Sequence, residues 1–288
     1  MHWIYTIFQG VGIGAANVIP GVSGGTMALI FGIYERLIDA AAGAVRAGLF
    51  LLKLDFKNAA AELSILPWAF LLPLIVGIAA APIVGARFIP AILESFPQES
   101  RGVFFGLILG SIAIPWIRIV APKSGHYVLL LGATLVAFLI AGIPAAENAD
   151  PSLIFVFFAG VIAMSAMILP GVSGAYLLLI MGLYSPILKA IENLDLGIIL
   201  VFMAGAAIGA GAFSVFVGWL LKKYHDGTMA VLVGLMIGSL RALWPWLGPD
   251  REFQLPEFNE SIYPVVGLMA LGFVISGAIL LRERRQKK

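Results

Sequence analysis

The sequence predicts an all-α polytopic membrane protein built from two inverted-topology repeats. Each repeat is expected to hold a broken or re-entrant helical hairpin followed by three transmembrane helices. The observations behind this prediction are an apolar composition, a duplicated motif and an uneven distribution of basic residues between loops. Of the 288 residues, 61% are hydrophobic and 12% are charged, whereas soluble domains carry about 25% charged residues. The chain therefore lacks the polar side chains needed to cover a water-soluble particle.

The duplicated motif is a long match between the two halves of the chain. Residues 20–38, PGVSGGTMALIFGIYERLI, align without a gap to residues 170–188, PGVSGAYLLLIMGLYSPIL. Further on, GLILGS at 106–111 matches GLMIGS at 234–239. A match of this length with Pro, Gly and Ser in fixed order indicates an internal repeat rather than chance similarity between apolar segments.

The repeat divides the chain into a first copy at residues 1–145 and a second at residues 146–288, which together form one membrane domain. The first copy holds an extra stretch at about 43–64 that mixes apolar and charged residues. This stretch is typical of an amphipathic helix lying on the cytoplasmic membrane surface, or of an ordinary connecting helix.

Both PGVSG motifs interrupt an apolar stretch. Proline lacks an amide proton and glycine favours non-helical backbone, so helices should stop there. We expect helices at 3–19 and 25–40 in the first copy, and at 153–169 and 174–190 in the second. We call residues 21–26 the first elbow and the equivalent residues, 171 to 176, the second elbow. Each hairpin either re-enters from one face or crosses the membrane as two helices.

Three further spans are expected in each copy, because an apolar helix of about 20 residues crosses the hydrocarbon core. The predicted spans are 67–89, 102–118, 126–143, 197–221, 229–247 and 262–281. Glycine pairs four residues apart in these spans predict close helix packing; they are Gly106/Gly110, Gly205/Gly209 and Gly234/Gly238.

Loop charges predict the orientation. The tail RERRQKK is strongly basic, so the positive-inside rule assigns it to the cytoplasm. Counting spans backwards places 144–152 and 248–261 outside and 35–66 and 118–125 inside. The first hairpin then begins and ends inside, whereas the second begins and ends outside. The copies are therefore predicted to be inverted, with both termini on the cytoplasmic side of the plasma membrane.

Other features of the composition limit the chemistry. The N-terminus has no basic cluster before an apolar core, so a removable signal peptide is not expected. There is no cysteine, which excludes disulfides and thiolate metal ligands. The net charge of +2 says little about partners, and we expect no nucleic-acid partner. We expect no cofactor and no metal site, and the oligomeric state is left open.

The elbows are the candidate binding site. Non-helical backbone at membrane depth is tolerated where it is buried or lines a cavity, and a free helix start suits an anion. Candidate headgroup-binding residues are Gly21, Ser23, Gly24, Gly25 and Thr26 in the first elbow, and Gly171, Ser173, Gly174 and Tyr176 in the second. Alternatively, the glycines only allow close packing and the serines cap helices.

Charged and polar residues near the elbows add further candidates. Arg241 lies in a predicted span and is either a counter-charge for an anion or an interfacial residue beside tryptophans. Asn17 is a possible lining residue before the first elbow. Glu35 is either a coupling group or a surface partner of Arg36 or Arg118, and Arg118 is itself a candidate coupling or lining residue.

At PGVSGGTMALIFGIYERLI, PGVSGAYLLLIMGLY and GLMIGSLRALWPW the chain resembles a bacterial and archaeal membrane family associated with polyprenyl-phosphate transport. The resemblance covers nearly the whole chain. It implies a secondary-type lipid transporter, a flippase that returns undecaprenyl phosphate to the inner leaflet for cell-wall synthesis. Members commonly carry an acidic residue where this chain has Asn17, so the chain departs from the family pattern at a position that could serve ion coupling. Whether H⁺ or Na⁺ is coupled to transport is therefore left open. The residues that would face the phosphate are Gly21, Ser23, Gly24, Gly25, Thr26, Ser173, Gly174 and Arg241.

Two other functions remain as alternatives. Membrane phosphatases that act on undecaprenyl pyrophosphate also use a Pro-Gly-x-Ser motif, but they continue with an arginine where this chain has Gly24 and Gly174. An enzyme is therefore not expected. A small-anion channel or symporter is the second alternative, since the elbows predict an anion site without identifying the anion. The lipid-linked phosphate and the surrounding membrane lipids are the expected partners.

Overall fold

The computed structural model describes residues 2–19, 21–85, 89–146, 151–248, 250–256 and 262–286. These residues are overwhelmingly helical, and their only β-pairing is a bridge between Leu247 and Phe253. The all-α prediction is confirmed for this part of the chain. Pro20 of the first motif lies outside the described residues.

The first half of the chain contains nine helices among its described residues. They are α1 (His2–Val18), α2 (Gly24–Ile30), α3 (Tyr34–Leu52), α4 (Phe56–Ile65), α5 (Trp68–Gly85), α6 (Ile89–Ser95), α7 (Pro97–Ser111), α8 (Ala113–Trp116) and α9 (Ser124–Ile140). The second half continues, over its described residues, with α10 (Leu153–Ile168), α11 (Gly174–Ile180), α12 (Tyr184–Glu192), α13 (Leu196–Lys223), α14 (His225–Ser239) and α15 (Ile262–Gln286). A 3₁₀ turn, Leu240–Leu243, extends α14.

The predicted spans match α5, α7, α9, α13, α14 and α15. Three helices of the described residues are long and apolar enough to cross a membrane, and five spans result if each bent helix pair counts as one. Helices α9 and α10 are apolar but shorter. The short helix α6 occupies a segment that was predicted as a loop. The molecule is thus a multi-pass membrane protein, and its orientation in the membrane stays a prediction.

The helices predicted at 25–40 and 174–190 are not continuous, and this part of the prediction is wrong. The first is divided into α2 and α3 at Gly32, and the second into α11 and α12 at Gly182. The axes of α11 and α12 differ by 105°. A seven-residue helix rises only about 10 Å, so α2 and α11 are each far too short to cross the hydrocarbon core.

The division at Gly32 follows from a helix-ending motif. Gly32 has φ +70°, a conformation that a side chain disfavours. Its N–H donates to Leu29 O at 3.0 Å, while the N–H of Ile33 donates to Ala28 O at 3.0 Å. This pair of bonds is the Schellman arrangement, which closes the last helical turn and lets the chain reverse. Gly182 has the same bonds and φ +71° in the second copy.

The extra stretch at 43–64 forms the end of α3 and most of α4 rather than one helix. The chain turns between them at Leu54, which has φ +57°. Arg46 pairs with Glu62 across the turn at 3.1 Å. Several large apolar side chains on this hairpin are exposed, including Phe56. That exposure fits a position at the membrane surface, which stays a prediction.

Helix packing follows the repeat in two different ways. Helix α1 packs along α5, and the equivalent α10 packs along α13. Two other long pairs form between the copies, since α7 packs along α15 and α14 packs along α9. The glycine pairs predicted for packing are found at these contacts, where an added Cβ would strike the backbone of the partner helix, as at Gly205 and Gly234. The prediction of close packing is confirmed.

One end of the bundle is held together by charged contacts, and we call it the Lys222 end. Arg118 pairs with Glu35 at 3.1 Å, and Lys222 pairs with Asp39 at 2.9 Å. The carboxylate of Asp226 accepts backbone N–H groups from the loop before α9. These contacts join segments that the sequence assigned to the inside.

The opposite end, the Arg241 end, is joined mainly by arginine contacts with backbone carbonyls. Arg241 donates to Phe138 O at 3.2 Å, and Arg251 donates to Ala141 O at 3.0 Å. The tryptophan cluster after α14 packs against the same region, with Trp244 stacked on Phe253. The segments after α9 and after α14, both assigned to the outside, therefore meet here.

Candidate functional site at the paired elbows

The two elbows touch each other inside the protein. The hydroxyl of Ser23 donates to Leu169 O at 2.9 Å. In the reverse direction, the N–H of Gly171 donates to Thr26 Oγ1 at 2.8 Å. Ser23 is 1% exposed and Thr26 is 0% exposed, so water does not reach these groups. Side chains of the first elbow thus bond to the backbone of the second copy, at Leu169 just before the second elbow and at Gly171 within it. We call these two bonds the latch.

Both motif serines also cap the helix that follows. Ser23 has extended backbone and its oxygen accepts the N–H of Gly25 at 3.1 Å. Ser173 accepts the N–H of Tyr176 at 3.3 Å in the same way. Each bond satisfies one of the amide groups that a helix start leaves without an intrahelical partner. The capping alternative is therefore realised in both copies.

The side chain of Asn17, near the end of α1, is hydrogen-bonded to the first elbow. Its Oδ1 accepts the N–H of Gly24 at 2.9 Å. Together with the bonds to Gly25 and Gly171, this contact means that three of the amides predicted as anion donors are already bonded to protein oxygens. An anion at the elbows would have to replace those partners or use other groups.

The motif glycines are required by backbone shape and close approach. Gly21 has φ +91° and Gly171 has φ +86°, which side chains disfavour. An added Cβ on Gly25 would meet the carbonyl of Ile168, and one on Gly174 would meet the carbonyl of Ala163. Backbone shape and packing at the elbows are therefore enough to require glycine at these positions, with or without a role in binding.

A cavity of about 50 Å³ lies beside the latch. It brings together four of the predicted residues, Gly21, Gly171, Ser173 and Tyr176, whereas Ser23, Thr26 and Gly25 lie outside its lining. A space of this size holds one or two waters. We call it the elbow cavity, and its lining is Gly21, Ala137, Ile140, Ala141, Gly171, Val172, Ser173, Tyr176, Leu177, Leu235, Ser239 and Ala242.

Tyr176 closes one side of the elbow cavity. Its hydroxyl donates to Ile143 O at 2.6 Å and lies 3.2 Å from Ile140 O, at the end of α9. The ring is covered by the guanidinium of Arg251, whose central carbon lies 4.3 Å from the ring centroid. The second elbow is therefore tied to the Arg241 end through this side chain.

Arg241 lies next to the elbow cavity without lining it. Its guanidinium stacks 4.5 Å above the ring of Phe138 and donates to the carbonyl of the same residue. Its Nε atom is buried and has no hydrogen-bond partner. Arginine at the last carbonyls of a helix is favourable because of the helix dipole. The side chain is thus turned inward onto α9 and retains one unused donor.

Arg251 is a residue of this site that sequence reasoning missed. It donates to Ala141 O at 3.0 Å and lies 3.5 Å from Ala242 O, two carbonyls on the rim of the elbow cavity. Its backbone has φ +61°, an unusual conformation for a non-glycine residue. Burial lowers the pKa of Arg251, and the positive charges of Arg101 and Arg241 lower it further. In the sequence it is a single basic residue in an acidic loop, and only the folded structure shows that it contacts the rim of the elbow cavity.

The remaining polar candidates lie elsewhere. Glu35 is 46% exposed and pairs with Arg118 at the Lys222 end, so the surface-partner alternative is realised. Arg36 stacks over the ring of Phe70 instead. The described lining of the elbow cavity contains no carboxylate. In the part of the chain that the structure describes, no group of three metal-ligating side chains is present.

Comparison with known proteins identifies close relatives. The family model described as VCA0040-like, undecaprenyl phosphate translocase-like, matches residues 13–256. A polyprenyl-phosphate transporter of Vibrio cholerae serotype O1 is 37% identical over 249 residues, covering 85% of this chain and 79% of the relative. A polyprenyl-phosphate transporter of Staphylococcus aureus is 29% identical over 267 residues, covering 85% of this chain and 87% of the relative. No solved structure matches the chain.

Proposed function

Because the chain belongs to the VCA0040-like family of undecaprenyl phosphate translocase-like proteins, we propose that it moves undecaprenyl phosphate between the leaflets of the plasma membrane. This flippase activity would recycle the carrier lipid of cell-wall synthesis. The relatives from Vibrio and Staphylococcus carry the name of a polyprenyl-phosphate transporter, which supports a transporter rather than an enzyme.

The observation that carries the proposal is the latch between the elbows. Its two bonds hold a hydroxyl and a backbone N–H that suit a phosphate oxygen when the elbows part. The elbow cavity, about 50 Å³, is too small for a headgroup in the latched form. Transport then requires the latch to open. The Ser23 hydroxyl and the Gly171 N–H would then donate to a phosphate oxygen instead of a protein oxygen.

Arginines at one end would supply the long-range attraction. Arg241 and Arg251 lie beside the elbow cavity, and no described carboxylate forms an ion pair with either. A partly buried guanidinium without a counter-charge is costly in a membrane, and an arriving phosphate lowers that cost. On the predicted topology these residues face the outer leaflet, where the lipid would be collected.

The inverted repeats would then give access from each side in turn. Two elbows of opposite orientation present similar groups to either leaflet, as in transporters with a midplane site. The headgroup would cross at the elbows while the prenyl chain stays in the hydrocarbon. A gradient of H⁺ or Na⁺ would drive the cycle.

Two alternatives are tested by the same preparation. Proteoliposomes would contain labelled undecaprenyl phosphate in one leaflet, and both its appearance in the other leaflet and phosphate release would be followed. We expect transfer without release, accelerated by an imposed pH or sodium gradient. Release of phosphate would favour a phosphatase, and permeation of inorganic phosphate without lipid transfer would favour a small-anion channel or symporter.

Variants connect the activity to the site. Ser173→Ala combined with Arg251→Gln should reduce transfer by at least tenfold, because the elbow cavity loses a lining hydroxyl and the positive charge beside its rim. Arg46→Gln is the matched control, since it removes an arginine whose ion pair lies on the α3–α4 hairpin. Equal transfer by both variants would contradict the assignment of the elbows as the headgroup path.

A further inference from the structure

A second and larger cavity opens at the Lys222 end of the bundle. Its volume is about 710 Å³, within the range of ligand sites in proteins. Helices α9, α13 and α14 supply its walls, which are mostly apolar, with Leu129, Phe216, Leu220 and Val231 among the lining residues. We call this cavity the lateral cleft. None of the residues predicted from the sequence lines it.

The lateral cleft opens sideways and reaches inward to the elbows. Leu129 on α9 is 45% exposed and Phe216 on α13 is 48% exposed, so its mouth faces the surroundings of the bundle. Its inner end includes Leu169, whose carbonyl accepts the latch bond from Ser23. Leu235 lines both the lateral cleft and the elbow cavity. The two cavities are therefore neighbours, with Leu235 between them and the latch close to both.

The outer rim of the lateral cleft is basic. Lys123 lies on it from the start of α9 and Lys223 from the end of α13. Among the described residues, no carboxylate pairs with either ammonium group. The rim carboxylate of Asp226 accepts two backbone N–H groups from the loop before α9, so it already has partners there.

The ammonium of Lys223 lies 5.4 Å from the centroids of the Trp219 and Tyr224 rings. The lateral cleft thus combines an apolar trough with a cationic rim whose lysines pair with no described carboxylate. An apolar metabolite would gain nothing from the two lysines, and a free anion would gain nothing from the apolar walls. A single long hydrocarbon chain carrying an anionic head satisfies both parts. The position of the rim, at the end opposite Arg241 and Arg251, also places cations at both ends of the path through the elbows.

We propose that the lateral cleft is a second binding site for a lipid phosphate, with the hydrocarbon chain between α9 and α13 and the phosphate at Lys123 and Lys223. This inference rests on the proposed function, because it takes the transported lipid as the occupant. The lipid would pass between the elbow site and this site when the latch opens. The lysines would then replace the arginines as counter-charges at the receiving leaflet.

Photocrosslinking locates the chain. The purified full-length protein in liposomes would be mixed with a polyprenyl phosphate bearing a benzophenone in its chain, irradiated and digested. We expect labelled peptides from residues 213–220 and 228–235. Val231→Trp and Leu220→Trp fill the lateral cleft and should reduce this labelling by at least fivefold. Val215→Trp, on an exposed face of α13 outside the lining, should leave it unchanged.

Affinity measurements locate the headgroup. Lys123→Gln combined with Lys223→Gln should weaken binding of the same probe by about five- to tenfold, since two partly solvated charges are lost. Lys222→Gln is the matched control because that lysine pairs with Asp39 instead. Equal labelling of the lateral cleft by the uncharged polyprenol, or full competition by phosphatidylglycerol, would identify an ordinary lipid groove and overturn the proposal.

The two proposals fail separately. Absence of leaflet transfer by the unaltered protein would refute the proposed function, whatever the labelling shows. Transfer that persists in Val231→Trp, with labelling elsewhere, would refute the lateral cleft alone.

Discussion

Replacing Thr26 by valine tests the latch between the elbows. Valine keeps the branched shape of threonine but cannot accept the N–H of Gly171, whose bond to Thr26 Oγ1 is 2.8 Å long. Because valine has nearly the same volume as threonine, no cavity is created, and because Thr26 is 0% exposed, bulk water does not take the place of the lost oxygen. A buried donor left without a partner costs about 1–3 kcal/mol. Hydrogen bonds between membrane helices average about 0.6 kcal/mol and reach about 1.7. We therefore expect the free energy of unfolding to fall by about 1–2 kcal/mol.

The assay is equilibrium unfolding in mixed micelles, followed by the fluorescence of the six tryptophans. Thr134→Val is the matched control, because the hydroxyl of Thr134 donates to Leu130 O within α9 at 2.9 Å. That carbonyl lies inside a helix and has its backbone partner, so the control should change stability by about 0.5 kcal/mol or less. A Thr26→Val protein as stable as the control would refute the inference that Gly171 depends on this oxygen.

Ser23→Ala extends the same experiment. It removes the opposite bond of the latch, to Leu169 O, together with the cap on Gly25. If the two bonds act as one unit, the double variant should deviate from additivity by at least about 0.5 kcal/mol. Strict additivity would show that the elbows are held by independent contacts.

Three further outcomes are expected. Gly25→Ala should prevent correct assembly, because the added Cβ would strike a backbone carbonyl. Gly132→Ala is the control, since its Cβ would meet open space. Monodispersity in detergent measures assembly, and two equally well-folded variants would contradict the prediction. Tyr176→Phe loses its bonds to the end of α9 and should lower the free energy of unfolding by about 1 kcal/mol, measured as above; unchanged stability would contradict those bonds. Glu35→Gln breaks a partly exposed pair with Arg118 and should cost under about 1 kcal/mol without altering gradient-driven transfer; loss of the response to the gradient would restore Glu35 as a coupling group.

The predicted helix positions depended mostly on local properties. Each predicted span corresponds to a helix, because a long apolar run must satisfy its own backbone hydrogen bonds in lipid. The break at each PGVSG was predictable from proline and glycine alone. The break at Gly32 and Gly182 was missed although both glycines were visible in the repeat. A glycine in a helical stretch can either allow a neighbouring helix to approach closely or end the helix by adopting positive φ. The sequence does not distinguish these two roles.

The candidate site was predictable in part. Gly171 and Ser173 were identified by repetition, and they do line the elbow cavity. Arg251 was missed because its role comes from a loop that folds back onto Tyr176, a contact between residues far apart in the sequence. The amide donors expected to be free at the elbows are bonded to protein oxygens instead. Gly24 and Gly25 donate to side chains of their own copy, and Gly171 donates to Thr26 of the other copy.

The sequence by itself determined that this is a helical membrane protein with an internal repeat and a helix break at each PGVSG motif. Composition and local backbone preference are properties of neighbouring residues, and they need no knowledge of packing. Only the tertiary structure decided that α9 packs on α14 and α7 on α15, so that each copy completes the other. The same packing latches the elbows and forms the lateral cleft. Contacts between distant segments have no period or motif in the chain, because they depend on the shapes of surfaces that exist only after folding.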